Sequence, residues 1–254
     1  MNRHVGILVF VTLVWGTTFP LLKSAAATLS GVEISAIRFA FATLCMAPFL
    51  RRVPAATWRD GAILGALALV SYVTQAYGLQ YISSNRSAFL TSLNVLMVPL
   101  LGLLWGGTLS ALTLACALAA CLGIGLMSWE GGTHLLGDGA TLLCALAYAL
   151  YVIVLSQRAN EHDARQLTAT QILFMTVFAG LWVVASDASS GTLHNLDQRL
   201  LPHLWPLVYL GLIATAGMLL LQAMAQKHVS ADKAAVIYAM EPVFAALFGW
   251  IWLG

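Results

Sequence analysis

Charged side chains are scarce in this sequence. Only 9% of its 254 residues are Asp, Glu, Lys or Arg, and 60% are hydrophobic. A soluble globular domain has roughly 25% charged residues, and so few polar side chains could not cover the surface of a water-soluble fold of this length. The net charge is only +2, and the basic residues lie in short clusters between apolar runs. This distribution argues against nucleic acid as a partner.

Signatures of metal-binding and catalytic sites are also lacking. The sequence has no CxxC or Cys/His ligand spacing, no HExxH and no paired carboxylates, and its six histidines are dispersed among loops. We therefore expect no disulfide framework, no metal, no cofactor and no enzyme activity. The cysteines, which we interpret as small packing residues inside apolar runs, are Cys45, Cys116, Cys121 and Cys144.

Long apolar segments make up most of the chain. A bilayer core of about 30 Å needs about 20 residues of helix, and continuous apolar runs indicate helices rather than the alternating strands of a barrel. Nine segments have about this size. They are Val5–Lys23, Ile34–Leu50, Ala62–Ile82, Ser87–Trp105, Leu109–Trp129, Ala140–Leu155, Leu167–Ala185, Leu204–Gln226 and Ala234–Leu253. We expect Asp187–His203 to be a surface loop, with a short interfacial turn near Leu196–Leu201.

The positions of Lys and Arg predict the orientation. With a cytoplasmic amino terminus, eight of these residues fall in inner loops and three on the outer side. Positive loops favour the cytoplasm, which supports this placement. The inner residues are Arg3, Arg51, Arg52, Arg59, Arg158, Arg165, Lys227 and Lys233, and the outer ones are Lys23, Arg86 and Arg199.

An internal repeat relates the two halves. Residues 75–107 align without a gap to residues 222–254 at an offset of 147, with eight identities in 33 positions. The repeating unit has five helices, and an odd number of crossings inserts the second copy in the opposite sense. We therefore predict one repeat at 1–129 and a second at 137–254. The second copy ends before the equivalent of helix five, so a tenth helix is expected to be missing from this chain.

Three stretches resemble a known family. They are the opening VWGTTFPLLK of Val14–Lys23, the Arg38-Phe39 pair, and the closing QKHVSADKAAVIYAMEPVFAALFGWIWLG of Gln226–Gly254. Together they are similar to the EamA-type family of the drug/metabolite transporter superfamily. The resemblance implies ten helices in two inverted repeats and a permease or exporter of a small metabolite or drug-like solute. It also implies a multi-pass protein of the bacterial plasma (inner) membrane, and it names no solute.

Glu241 is the carboxylate that lies well inside a predicted span, and its repeat mate is Asn94. An unpaired charge at that depth is costly, so Glu241 should be protonated, paired or facing water. It either couples protons or binds substrate, or it bonds across helices beside Pro242. We expect a solute cavity between helices one, three and four and helices six, eight and nine, which open alternately.

Other polar and aromatic residues in the spans are candidates for the same cavity. Each has a structural alternative: interhelical hydrogen bonds for the amides, snorkelling or pairing with Glu33 for the arginine, and packing for the aromatics. The remaining substrate-binding or coupling candidates are Gln75, Gln222, Trp15, Tyr148, Tyr238 and Arg38. We also predict helix kinks at Pro20, Pro99 and Pro242, which either expose carbonyls to the cavity or serve packing alone.

Glycine pairs give the spacing that lets helices approach closely: Gly61 with Gly65, and Gly102 with Gly106. We interpret both as packing sites, and a contact between two copies in a homodimer stays open.

The main functional prediction is a secondary transporter that works by alternating access and is a candidate for proton coupling. A channel, a membrane-embedded enzyme and a structural scaffold are the alternatives, and no charged ring or filter-like loop supports the channel.

Overall fold

The computed structural model of the chain describes residues 3–106, 111–127, 132, 134–190 and 195–253, and every regular element in these ranges is a helix. Within this part of the chain, seven helical stretches are long and apolar enough to cross a bilayer. They are Arg3–Ala25, Gly31–Leu50, Ala55–Tyr81, Leu135–Glu161, Ala164–Ser186, Leu196–Gln226 and Ala231–Trp250, with a shorter apolar helix at Leu114–Gly123. The predicted all-α integral membrane fold is confirmed, whereas the count of nine crossings stays a prediction.

The first half contains seven α-helices: α1 (Arg3–Gly16), α2 (Thr18–Ala25), α3 (Gly31–Met46), α4 (Ala55–Tyr81), α5 (Ser84–Ser92), α6 (Asn94–Gly102) and α7 (Ala111–Met127). The second half contains α8 (Leu135–Arg158), α9 (Ala164–Ser190), α10 (Leu196–Leu200), α11 (Leu204–Tyr209), α12 (Met218–Gln226), α13 (Ala231–Tyr238) and α14 (Glu241–Leu253). A π-helical segment, Leu210–Gly217, joins α11 to α12.

Several helices extend beyond the apolar runs that predict them. Helix α4 begins at Ala55 rather than Ala62, because its polar first turns find partners at the end of the bundle. The ends of the predicted span Leu109–Trp129 lie outside the described residues, which cover α7. Helix α9 continues to Ser190, past the predicted start of a loop at Asp187, and residues 191–194 also lie outside the described ranges. The short helix α10 lies where the interfacial turn was expected.

Three of the predicted spans are broken into two helices. The breaks fall at Thr17 between α1 and α2, at Leu93 between α5 and α6, and at Ala239–Met240 between α13 and α14. The first lies one turn before Pro20. The third lies directly before Glu241-Pro242. Pro99 lies inside α6 instead, so the break in that span falls well before the proline.

Helix α4 is central, since it packs against both α8 and α9. At Gly65, an added Cβ would lie 2.7 Å from the Gln171 carbonyl oxygen and 3.0 Å from Phe174 Cβ of α9. Gly61 contacts Thr170 of α9 in the same way. The absent side chains therefore permit a close helix contact, as expected for this spacing.

The other glycine pair has no such role within the described residues. A Cβ added at Gly102 or Gly106 meets no atom within 4 Å, and Gly106 is in the left-handed region with a φ of 77°. Gly106 therefore ends the turn that follows α6, since glycine adopts this conformation without strain. Among the described residues Gly102 and Gly106 contact no neighbouring helix, so the packing role predicted for this pair, within the chain or in a homodimer, stays a prediction.

Candidate functional site

A small cavity with a volume of about 40 Å³ lies between the helices of the bundle. Its wall combines an arginine and a glutamate with three aromatic rings and several small polar groups. The lining residues are Trp15, Thr18, Arg38, Ser71, Tyr72, Gln75, Thr91, Tyr148 and Glu241. Arg38 lies on α3, which corresponds to the second predicted span, Ile34–Leu50. This span was not among those expected to enclose the cavity.

Arg38 is held in place by neutral groups. Its side chain is buried, with a residue exposure of 2%, and its Nε donates to Thr215 Oγ1 at 3.1 Å. One terminal nitrogen donates to the Leu210 carbonyl at 3.4 Å, and the guanidinium carbon lies 4.6 Å from the centre of the Tyr72 ring. The alternatives expected from the sequence do not apply: Arg38 does not reach the surface, and its neighbour Glu33 bonds to other groups.

Glu33 has two separate partners. Its carboxylate accepts the Ser30 backbone N–H at 2.7 Å, while Ser30 Oγ accepts the Glu33 N–H, which forms a capping box at the start of α3. The same carboxylate binds Arg199 at 2.7 and 3.2 Å. The acid nearest to Arg38 in the sequence is therefore already neutralised.

Glu241 begins α14, at the break that follows α13. It is 6% exposed, and within the described ranges its carboxylate has neither a hydrogen bond nor an ion pair. No Arg38 nitrogen lies within 4.0 Å of its oxygens, so the two charges do not pair directly. Both line the same cavity.

Aromatic rings form a continuous wall beside these charges. Trp15 packs edge-on against Tyr148, with 5.9 Å between ring centres, and lies 5.7 Å from Tyr238. Gln222 Nε2 donates to the Tyr148 hydroxyl at 3.1 Å. Gln222 and Tyr238 therefore lie behind the wall and position Tyr148 and Trp15 instead of lining the cavity.

The π-helical segment was not anticipated from the sequence. Its carbonyls are the acceptors for the cavity residues: Ala214 accepts Trp15 Nε1–H at 2.9 Å, and Leu210 accepts Arg38. Short π-helical segments are rare and are frequent at functional sites. The sequence signal, a Gly- and Ala-rich run at Leu210–Gly217, is too common in membrane helices to indicate one.

The remaining candidates fall in different places. Gln75 lines the cavity together with Ser71, one helical turn before it on α4. Asn94 is fully buried and donates to the Thr91 carbonyl at 2.8 Å, beside the break between α5 and α6. Sequence reasoning missed three lining residues, which are Thr18, Ser71 and Thr91. The sequence signal available for Ser71 was its position four residues before Gln75 on α4, which places the two polar side chains on the same face of the helix.

A polar cluster closes one end of the bundle. Asp60 at the start of α4 is buried, and its Oδ2 lies 2.8 Å from His162 Nε2 in the turn between α8 and α9. Thr57 Oγ1 lies 3.0 Å from the other ring nitrogen, and Arg158 approaches Asp60 at 3.9 Å. Asp60, His162 and Glu161 could hold a metal ion by spacing alone, but Arg158 and Arg59 already supply positive charge.

Two ion pairs close the opposite end. Arg86 at the start of α5 binds Asp138 at the start of α8 through two bonds of 2.7 and 2.8 Å. Arg199 of α10 binds Glu33 as described above. Helix α8 has 24 residues and a length of about 36 Å, so Asp138 and Arg158 lie at opposite ends of the bundle.

Comparisons with known proteins agree with this architecture. A protein of Archaeoglobus fulgidus described as an uncharacterized transporter is 28% identical over 242 residues, which are 95% of this chain and 75% of that protein. A solved crystal structure matches with a TM-score of 0.75 and 17% identity, covering 99% of this chain and 88% of its own, and it shows the fold alone. The model of the EamA-like transporter family matches residues 4–129 and 135–254. The chain is therefore a multi-pass membrane protein that belongs to the EamA-like transporter family.

Proposed function

We propose that this protein is a secondary transporter that carries a small solute through the central cavity by alternating access. The observation that carries the proposal is the pair of buried ionisable side chains, Arg38 and Glu241, that line one cavity without pairing with each other. Intramembrane ionisable groups are costly to bury and commonly mark solute or ion pathways. A scaffold would gain nothing from keeping two such groups apart.

The contacts at the two ends support gates. Arg86–Asp138 and Arg199–Glu33 at one end, and His162–Asp60 at the other, each join a residue of 4–129 to a residue of 135–254. Arg86, Asp138 and Arg199 are partly exposed, and exposed ion pairs contribute about 0–1 kcal/mol each, so these two pairs can separate and form again during a cycle. His162 and Asp60 are buried, so opening of that end must bring water to both groups. With both ends joined, the structure corresponds to an occluded state in this proposal.

The broken helices support an inverted pair of repeats. At the offset of 147, the break at Leu93 corresponds to Met240, and Asn94 corresponds to Glu241. The turn before α5 lies at the end of the bundle that holds Asp138, while the turn before α13 lies near His162, whose carbonyl accepts Lys227 Nζ at 2.7 Å. Equivalent turns at opposite ends are what inverted repeats require. The repeats at 1–129 and 137–254 and the tenth helix stay predictions.

The orientation is part of the proposal. We place the end with Arg59, Arg158 and Lys227 on the cytoplasmic side of a bacterial plasma membrane, because loops rich in Lys and Arg favour that side.

Homodimer formation stays a prediction, since Gly61 and Gly65 pack inside the chain. Family membership points away from catalysis. Glu241, as a carboxylate facing the cavity, is also the group we propose for any proton coupling.

Counterflow with a metabolite mixture tests the function although the solute is not identified. Proteoliposomes of the full chain, loaded with an unlabelled bacterial metabolite extract, are placed in the same extract labelled with ¹³C. We expect at least one labelled metabolite to enter unchanged, and at least about fivefold faster than in vesicles without internal extract, because a carrier returns faster when loaded. Mass spectrometry of the vesicle contents gives the rates.

Each alternative has a distinct result in this assay. Entry that is independent of the internal extract would indicate a channel, and a labelled product absent from the original extract would indicate an enzyme. Entry equal to that in protein-free liposomes for every metabolite would contradict transport. An Asn85→Cys variant, altered at an exposed residue in the first turn of α5, serves as a control for reconstitution.

A further inference from the structure

We infer that the end of the bundle that holds His162 carries a binding site for an anionic phospholipid, whose phosphate group contacts Arg3 and Lys227. The site is a second cavity, of about 580 Å³, between the start of α1, the start of α9 and the end of α12. It is separate from the central cavity, because Trp15 lies about 18 Å further along α1 than Arg3. The proposed transport function does not depend on it.

Positive charge is concentrated around this second cavity. Arg3 and His4 come from the first turn of α1, and Lys227 and His228 directly follow α12. The rings of His4 and His228 lie 4.0 Å apart with an angle of 35° between their planes. This ring contact holds their sequence neighbours, Arg3 and Lys227, at the same cavity. An anion that contacts both cations would be attracted by two charges at once.

Neither cation has a carboxylate partner among the described residues. No Asp or Glu oxygen there lies within 4.0 Å of a side-chain nitrogen of Arg3 or Lys227. Lys227 Nζ donates to the His162 carbonyl at 2.7 Å, which uses one of its three donors. A guanidinium has five donors, and its planar fork matches a phosphate group with two parallel bonds. Both side chains can therefore donate to one phosphate.

The acid at this cavity does not neutralise the two cations. Asp163 is part of the wall, but its Oδ1 accepts the backbone N–H groups of Arg165 and Gln166 at 2.9 and 3.2 Å. These bonds satisfy the first turn of α9, as expected for a residue that precedes a helix. The Arg165 guanidinium lies 5.6 Å from the centre of the Phe49 ring, and we do not count it among the ligands. The cavity still has a net positive charge, because two cations face one carboxylate.

The apolar part of the wall lies towards the middle of the membrane. Ile7 comes one turn after His4 on α1, and Met224 comes one turn before Lys227 at the end of α12. Met224 is 42% exposed, and Phe10, three residues after Ile7, is 51% exposed. A basic end above an apolar strip matches the order of headgroup and acyl chains in a phospholipid. A soluble phosphate compound would gain nothing from the strip, so the ligand we propose is a lipid.

The proposed orientation agrees with an anionic ligand. The end with Lys227 is placed on the cytoplasmic side, where anionic lipids give the leaflet a negative surface potential. Basic cavities between membrane helices on this side are suited to anionic headgroups. The cavity lies between α1 of the first half of the chain and α9 and α12 of the second. A bound headgroup would therefore contact both halves.

Short-chain phospholipids test the site on the purified full chain in a non-ionic detergent. Phosphatidylglycerol and phosphatidylcholine with the same short acyl chains differ in net charge, whereas glycerophosphoglycerol and inorganic phosphate are anions without chains. A ligand of the folded state raises the melting temperature. We expect phosphatidylglycerol to raise it by about 3–6 °C at ten times its Kd, and each other compound by less than about 1 °C at the same concentration.

Removal of the two charges locates the binding. In the double variant Arg3→Gln/Lys227→Gln, both side chains keep N–H donors and lose their charge. One such charge near a membrane surface is worth about fivefold in lipid affinity, so phosphatidylglycerol should bind at least about tenfold more weakly. The affinity comes from the dependence of the melting temperature on lipid concentration. Arg3→Gln alone, at an exposed residue, should bind about fivefold more weakly and serves if the double variant does not fold.

Arg51→Gln is the matched control. It removes an exposed positive charge from the same end of the bundle, where the Arg51 carbonyl accepts Gln166 Nε2, but Arg51 is not part of the cavity wall. We expect its phosphatidylglycerol affinity to change by less than about twofold, because a solvent-exposed charge outside the site is screened. The melting temperature without lipid reports whether each variant folds.

Four results would overturn the lipid site. No stabilisation by phosphatidylglycerol would exclude binding, and equal stabilisation by phosphatidylcholine would exclude recognition of charge. Equal stabilisation by glycerophosphoglycerol or inorganic phosphate would indicate a soluble phosphate compound instead of a lipid. An unchanged affinity in the charge-removal variants, or an equal loss in Arg51→Gln, would show that Arg3 and Lys227 are not the specific ligands. The counterflow assay decides separately whether the chain is a transporter.

Discussion

Arg38→Met is expected to abolish carrier exchange. In the proposed function Arg38 contacts the solute in the cavity, and loss of such a buried charged contact costs about 2–5 kcal/mol in binding, which corresponds to at least a ~30-fold loss. We therefore expect counterflow at least ~30-fold slower than in the parent protein, measured in the same proteoliposomes. Arg38→Lys should recover only part of the rate, because an ammonium lacks the planar fork.

The same substitution should leave the fold intact. Thr215 Oγ1 also donates to the Leu210 carbonyl at 2.7 Å, so this carbonyl keeps a donor when Arg38 is replaced. Replacing a buried charge by an apolar side chain of similar volume is often neutral or stabilising. We expect a melting temperature no lower than that of the parent. Arg165→Met, an exposed arginine beside Phe49, is the matched control and should exchange normally. A rate within threefold of the parent for Arg38→Met would contradict the assigned role.

Gly65→Ala is expected to destabilise the bundle strongly. The new methyl group would lie 2.7 Å from the Gln171 carbonyl oxygen, and both atoms belong to rigid helices. The helices α4 and α9 must therefore separate, and overpacking of this kind costs about 1–3 kcal/mol. For a chain of this size we expect the melting temperature to fall by about 2–10 °C. Thermal unfolding of the purified protein measures the change.

Gly102→Ala is the matched control for this prediction. Its spacing to a second glycine is the same, but a Cβ there meets no atom of the described residues within 4 Å. Alanine favours a helix over glycine by up to about 1 kcal/mol, so stability should be unchanged or slightly higher. Equal losses in the two variants would show that the close contact at Gly65 does not limit the packing of α4.

The contrast between these glycines shows what sequence spacing can predict. Continuous apolar runs predict the helices well, because lipid leaves the backbone no other way to satisfy its hydrogen bonds. Spacing alone cannot say which face of a helix meets a neighbour. Gly65 faces α9, whereas no described residue lies within 4 Å of a Cβ placed at Gly102, and only the tertiary arrangement decides between them.

The sequence also predicted part of the candidate site, namely which residues line it but not which groups they contact. Buried polar residues in apolar spans are conspicuous, and Trp15, Arg38, Gln75, Tyr148 and Glu241 do line one cavity. Their partners could not be predicted, because they come from distant segments. Arg38 bonds to a π-helical segment that no local pattern indicates, and Glu33, one of the alternatives considered for pairing with Arg38, binds Arg199.

The polar contacts at the ends of the bundle were beyond sequence reasoning for the same reason. Asp60 and His162 are far apart in the chain and meet only because α4 lies beside the turn between α8 and α9. The Arg86–Asp138 pair likewise joins two helix starts. Charges at loop positions predict the orientation, whereas their pairing depends on the three-dimensional fold.

Two-sided access to the cavity is the most direct test of the account. Ser71→Cys places a thiol in the cavity wall after the four native cysteines are replaced, and a membrane-impermeant maleimide is applied from either side of sealed vesicles. Asn85→Cys and Asn160→Cys mark the two faces and should each react from one side only, on opposite sides. We expect the cavity thiol to react from both sides. Reaction from a single side, with both markers behaving as expected, would contradict a cavity that opens alternately to the two faces of the membrane.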